Sequence, residues 1–260
     1  MEKWQQIKRM MFLLVAVFLI GIGPWLVCGD TANPRELTLY AKAGILSPVR
    51  LKFPKDYDRS SPAVLVIVMH GKGGAIQGML PVWEAFDNPR FILAIAQAPY
   101  PFSGGWSWDF PSTDRRLWKI ADPMISAYIL NVIADIQADY PITSVYLFGH
   151  SQGVSYAYLT GLLHPEKIRG LVCFAGIYPK EFLPREKVEP AIGRMRFFIA
   201  HGRNDPQIGI ESSEQARNIL EDLGAEVRFF PFRGGHNLPA DAVREAQKWI
   251  EADTSLRNDR

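Results

Sequence analysis

Ser151, Asp205 and His236 stand in this chain in an order, and in settings, that suit nucleophilic acyl transfer. Ser151 lies in Gly149-His150-Ser151-Gln152-Gly153, directly after the apolar run Val145-Tyr146-Leu147-Phe148 and before a helix-like segment. A G-x-S-x-G turn between strand and helix holds its serine out where a substrate can reach it. A serine hydroxyl is a weak nucleophile at its free pKa, so it needs a base, and the base needs an orienting carboxylate. Arg196-Phe197-Phe198-Ile199-Ala200 reads as a buried strand running into His201-Gly202-Arg203-Asn204-Asp205-Pro206, which sets Asp205 on a loop past a strand end. Val227 to Phe232 reads as another strand, and it leads through Gly234-Gly235 to His236. Asn-Asp-Pro is turn chemistry in its own right, and a histidine after two glycines can be an ordinary surface residue. The joint occurrence, in the order serine, acid, base and at equivalent strand ends, carries the triad reading.

Acyl transfer also needs backbone N–H donors aimed at the developing oxyanion. One is expected from Gln152, the residue after the nucleophile. The other is expected from His70-Gly71-Lys72-Gly73-Gly74, a loop after the continuous apolar run Ala63 to Met69, with the Lys72 amide as the donor. That loop lacks the Lys-Ser/Thr ending of a phosphate-binding P-loop and is no dinucleotide fingerprint. His150 occupies the variable position of the serine turn and packs beside the nucleophile; His164, before Pro165, falls at a helix end; His201 reads as structural. The chain has no H-E-x-x-H and no Cys/His cluster, so neither metal nor cofactor is expected.

These residues require a scaffold that brings several strand ends to one edge. Apolar runs at Ala63–Met69, Phe91–Ala96, Val145–Phe148, Leu171–Ile177 and Arg196–Ala200 read as strands buried on both faces, as in a parallel sheet. Leu37–Tyr40 and Val49–Phe53 read as opening antiparallel strands. Between them lie helical patterns: Asp122 to about Tyr140 (with Pro123 at the first helical position), Gln152 to His164, Glu211 to Leu223 and Ala240 to Ala252. The alternation predicts an α/β fold with a doubly wound, mostly parallel sheet. Two segments break it. Gln97 to Lys119 is rich in aromatic residues; Trp106, Trp108 and Phe110 are candidates for the wall of a substrate pocket, and equally for a loop packed onto the core. Tyr178 to Ile192, rich in proline and charge, falls where a short lid would sit.

The combination resembles the α/β-hydrolase superfamily, in particular its phospholipase/carboxylesterase branch and the related secreted esterases and polyester depolymerases. The likeness rests on Phe53-Pro54-Lys55-Asp56-Tyr57, Met69-His70-Gly71, Gly149 to Gly153, His201 to Asp205 and Gly235-His236, and it spans roughly residues 37 to 252. The resemblance implies an α/β-hydrolase fold without a large cap domain. It implies Ser151 as nucleophile, His236 as general base, Asp205 as orienting acid, and Lys72 and Gln152 as oxyanion donors. His150 stands where the cytosolic carboxylesterases usually carry Phe, and Val154 where many members have glycine. The expected reaction is hydrolysis of a small-molecule carboxylic ester through an acyl-enzyme. The alternatives are amide or peptide cleavage of prolyl-oligopeptidase type, and a non-catalytic ligand-binding module on the same fold.

The chain has 260 residues and a formal net charge of only +2, with no basic patch that would suggest nucleic acid. Lys3, Lys8 and Arg9 precede the uncharged apolar stretch Met10 to Gly23, the layout of a secretory signal peptide. Residues 1–29 are read first as a cleavable signal, second as a signal anchor, and last as a segment lipidated at Cys28. A linker at 30–36 and a catalytic domain at 37–260 follow. A secreted or periplasmic location is expected, with membrane contact only through an uncleaved N-terminus. Cys28 and Cys173 are the only cysteines; Cys173 sits in an apolar run as a core residue, so no disulfide is expected.

Overall fold

The computed structural model describes residues 36–42, 46–55, 57–86 and 90–258. The N-terminal segment read as a signal or anchor, and the linker as far as Arg35, lie outside the described residues. Ten strands form among the described residues: β1 (Glu36–Lys42), β2 (Leu46–Lys52), β3 (Ala63–Met69), β4 (Phe91–Ala96), β5 (Tyr100–Phe102), β6 (Gly105–Ser107), β7 (Ile142–His150), β8 (Gly170–Phe174), β9 (Arg196–Gly202) and β10 (Val227–Phe232). Eight make one sheet in the order β1-β2-β4-β3-β7-β8-β9-β10. β1 and β2 are antiparallel to their neighbours, and every pairing from β4 to β10 is parallel.

The apolar runs become central strands because both of their faces are covered. Along β3, Ala63, Leu65, Ile67 and Met69 enter one core, while Val64, Val66 and Val68 enter the other. This is the two-residue alternation of a pleated strand. Helices α2 (Arg115–Asp139), α3 (Gln152–Leu163) and α5 (Glu211–Asp222) supply the first core through residues such as Ile129, Val132, Leu159 and Leu220. Helices α1 (Leu80–Ala85) and α6 (Ala240–Asn258) supply the second through Val82, Trp83, Val243 and Ile250. A short α4 (Arg185–Val188) lies within the proline-rich segment. Pro231 falls in β10, the last strand of the sheet, where a missing backbone donor is tolerated.

Two local departures from the sequence reading have clear causes. Helix α2 starts at Arg115, before the Asp122-Pro123 pair expected to open it, and Pro123 lies in its interior. Asp114 is the cap, its side chain accepting the Arg116 N–H at 2.9 Å. Asp122 is turned instead toward α3, where it accepts the Tyr156 hydroxyl at 2.8 Å. The second departure is the β5–β6 hairpin in the aromatic segment. Its two-residue turn, Ser103-Gly104, has φ of 50° and 80°, the double positive φ of a type I′ turn.

The C-terminal helix is fixed at the end of the sheet where the parallel strands begin. Arg169 Nε and Nη2 donate to the two oxygens of Asp253 at 2.7 and 2.5 Å. Arg196 Nη1 stands 3.2 Å from the same carboxylate, and the Tyr146 hydroxyl donates to it as well. Burial alone would raise the Asp253 pKa; hydrogen bonds from Arg169 and Tyr146, with both guanidinium charges, bring it down to about 2. A carboxylate with a depressed folded-state pKa stabilises above its unfolded value of about 3.9 and loses that contribution as pH falls through the folded one. Removing it leaves Arg169 without its carboxylate and the buried Tyr146 hydroxyl without its acceptor, while Arg196 keeps Glu226. Asp253→Ala is expected to cost about 3 kcal/mol in urea unfolding at neutral pH. Between about pH 4 and about pH 2 the wild-type urea midpoint should fall more steeply than that of Asp253→Asn.

Candidate active site

Ser151 occupies a tight junction. β7 ends at His150, α3 begins at Gln152, and Ser151 between them has φ 54° and ψ −118°. Positive φ in a residue with a side chain is strained and persists only where the surroundings impose it. Here the surroundings are backbone. A Cβ on Gly149 would lie 2.6 Å from the Gly153 carbonyl carbon, and one on Gly153 would lie 2.5 Å from Met69 O. The Ser151 N–H donates to Phe174 O at 2.9 Å, which ties the turn to the end of β8.

The carboxylate and the imidazole come from the next two strands. The loop after β9 and the loop after β10 are zipped together: Arg203 N–H donates to Phe232 O at 2.9 Å and Asn204 N–H to Gly234 O at 3.0 Å. Asp205, whose side chain is fully buried, accepts Gln207 N–H at 2.8 Å and Ile208 N–H at 3.0 Å on Oδ1. On Oδ2 it accepts His236 Nδ1–H at 2.7 Å. Burial pushes its pKa up, but the Ile208, His236 and Gln207 hydrogen bonds outweigh that and hold it below the usual carboxylate range. With the proton on Nδ1, His236 keeps a free lone pair on Nε2, the form a general base needs. Ser151 Oγ has no hydrogen-bond partner among the described residues. In free enzymes this contact is often long and tightens around substrate.

His201 supports the acid. Its Nε2–H points to Ile208 O at 2.9 Å and stands 3.3 Å from Asp205 Oδ2, while Nδ1 accepts the Ser213 hydroxyl at 2.6 Å. The His150 ring packs at a tilt of 43° against that of His236, with centroids 5.0 Å apart.

Three aromatics of the Gln97 to Lys119 segment do something other than wall the pocket. Trp108 is fully buried, and its indole N–H donates to His70 O at 2.8 Å. Trp106 exchanges backbone hydrogen bonds with Gly73 and Gly74 at 2.8 and 2.9 Å, and Phe110 packs edge-on against Tyr100. None of the three lines the cleft. They hold the loop that follows β3. His70, whose pKa burial lowers, accepts Ala98 N–H on Nε2 at 3.1 Å and donates from Nδ1 to Gly71 O at 2.7 Å. Gly73 and Gly74 amides are taken by Trp106 O and Gly71 O, which leaves the Lys72 amide without an acceptor among the described residues. The Gln152 side chain accepts Trp108 N–H at 3.0 Å and donates to Ser107 Oγ at 3.1 Å. Its own amide opens α3 and is one of the helix's unpaired donors. One segment therefore ties down both residues expected to supply the oxyanion amides.

The cleft above Ser151 has a volume of about 560 Å³. Its apolar wall is Trp118, Ile177, Tyr178, Pro179, Phe182 and Ile208, and its rim carries Lys72, Asp109, Lys180 and Glu181. Lys72 Nζ lies 3.3 Å from Asp109 and 4.7 Å over the Phe102 ring. Trp118 was legible as part of the aromatic run; Tyr178 and Phe182 come from the segment read as a lid, and only the position of that segment pointed to them.

Residues 57–254 match the family model described as phospholipase/carboxylesterase. A probable inactive carboxylesterase of Oryza sativa is 25% identical over 210 residues, covering 74% of this chain and 86% of the relative. An acyl-protein thioesterase 1 of Neurospora crassa is 26% identical over 203 residues, covering 66% and 79%. The crystal structure of a carboxylesterase from Mesorhizobium loti superposes with a TM-score of 0.66 at 19% identity, covering 84% of this chain and 99% of that one. The fold is that of the α/β-hydrolases.

The junction at Ser151 has an energetic test independent of any reaction. Gly153→Ala forces a methyl group against Met69 O, and overpacking of this kind costs about 1–3 kcal/mol. The variant should show a lower urea midpoint at unchanged slope, whereas the same substitution at Gly78, whose surroundings are open, should change the midpoint little.

Proposed function

The chain belongs to the phospholipase/carboxylesterase family, and from that membership we propose that it cleaves carboxylic esters through a Ser151-His236-Asp205 triad. The observation that carries the reading is the 2.7 Å bond from His236 Nδ1 to the buried Asp205, in loops at the same sheet edge as the strained Ser151 turn.

In this mechanism His236 Nε2 takes the Ser151 proton as Oγ attacks the ester carbonyl carbon. The carbonyl oxygen gains the negative charge and is held by the Lys72 and Gln152 amides. Collapse expels the alcohol, which leaves with the proton from His236, and Ser151 is acylated. Water then attacks the acyl-enzyme, giving its proton to His236, and the second collapse releases the acid and returns the proton to Ser151. Asp205 stays ionised throughout, keeps the imidazole in its Nδ1–H tautomer and stabilises the imidazolium. The apolar wall of Trp118, Ile177, Tyr178 and Phe182 favours an ester with an apolar acyl or aryl portion. The charged apolar N-terminus supports action outside the cytoplasm.

One relative is named as a probable inactive carboxylesterase, which keeps a non-catalytic, ligand-binding reading in play. A fluorophosphonate probe separates the two, because it reacts only with an activated serine. Labelling of wild type, none of Ser151→Ala, and aryl-ester turnover reduced by about four to six orders of magnitude in Ser151→Ala and His236→Ala are expected. Folded wild type that neither labels nor turns over an ester would establish the binding module instead.

A further inference from the structure

His150 is the one histidine near the reaction centre that has no hydrogen-bond partner among the described residues. Its Nε2 is buried and unpaired. A buried N–H without an acceptor is rarer and costlier than a bare lone pair, which puts the proton of the neutral ring on Nδ1. The ring stays neutral because burial, then the neighbouring charge of His236, lower its pKa to about 4; Asp205 pulls the other way, and His201 and His70 add to the lowering.

The Nδ1 atom and Ser151 Oγ both lie against Gly71. A Cβ built on Gly71 would sit 3.0 Å from Ser151 Cβ, 3.5 Å from Ser151 Oγ and 3.6 Å from His150 Nδ1, so the bare face of Gly71 has the nucleophile and His150 Nδ1 close beside it. Gly71 immediately precedes Lys72, whose amide is the expected oxyanion donor. The tilted contact with the His236 ring, at 43° between planes, limits how far the ring can swing.

We propose that His150 is a side-chain oxyanion donor, its Nδ1–H bonding the ester carbonyl oxygen as that oxygen becomes negative, beside the Lys72 and Gln152 amides. The inference rests on the hydrolase reading above. It makes the variable position of the serine turn a catalytic residue in this chain. A phenylalanine there would keep an aromatic ring against His236 and lose the donor.

The test compares kcat and KM for a short aryl ester in wild type, His150→Phe and His150→Asn, with fluorophosphonate labelling and thermal melting of each. His150→Phe should lower kcat about tenfold to a hundredfold while KM stays within about twofold, and His150→Asn, which restores an N–H, should recover most of the loss. A trifluoromethyl ketone, whose serine adduct carries the oxyanion, should weaken by the same factor as kcat in the Phe variant. Should that variant not fold, His150→Leu carries the same comparison. Wild-type kcat in the Phe or Leu variant, or an equal loss in Asn and Phe, would overturn the proposal while labelling at Ser151 leaves the hydrolase reading intact. An unlabelled, inactive wild type would sink both, and the labelling arm tells the two failures apart.

Discussion

The strand ending at His150 and the helix starting at Gln152 approach more closely than any side chain at Gly149 or Gly153 would allow, and the remaining architecture of the site follows from that approach. Ser151 takes up the reversal in a conformation that is unfavourable for a residue with a Cβ. Such a conformation survives only if its neighbours cannot relax. The Met69 carbonyl on one side and the Phe174 carbonyl on the other belong to β3 and β8, strands flanking β7 in the centre of the sheet. The strain is held by the most deeply buried part of the molecule.

Backbone packed on backbone recurs around this edge. A Cβ on Gly105 would lie 2.1 Å from Gly73 O, which is how the β5–β6 hairpin sits against the loop bearing Lys72. A Cβ on Gly202 would lie 2.3 Å from Gly235 O, which is how the Asp205 and His236 loops close on one another. Peptide groups rather than flexible side chains set these distances. Side chains then make the fine adjustments: His201 and two amides orient Asp205, and Trp108 and Gln152 bind the two halves of the expected oxyanion site to each other.

Much of this was readable from residue order. The runs at Ala63, Phe91 and Arg196 spell buried strands because nothing polar interrupts them, and chain order alone placed Asp205 and His236 on successive loops. The misreadings came where tertiary contacts override local preference. Asp122-Pro123 carries a strong helix-start signal, yet Tyr156 takes the Asp122 carboxylate and Asp114 caps the helix earlier. Trp106, Trp108 and Phe110 looked like pocket walls because aromatic side chains serve equally well as wall or wedge. Only the folded chain distinguishes them, with Trp108 inside and Trp118 on the cleft. The orphaned Nε2 of His150 has no sequence signature at all.

The salt-bridged carboxylate of Asp253 and the triad lie at opposite ends of the same strands. Tyr146, Arg169 and Arg196 secure the C-terminal helix where strands begin, and Ser151 and the cleft above it lie where strands finish. Cohesion and the cleft are therefore carried by opposite ends of the same strands, Tyr146 five residues before Ser151 and Arg196 nine before Asp205. A substitution at Trp118 or Phe182 would reshape the cleft without touching the contacts that Asp253 makes with Arg169, Arg196 and Tyr146 at the far end of the sheet.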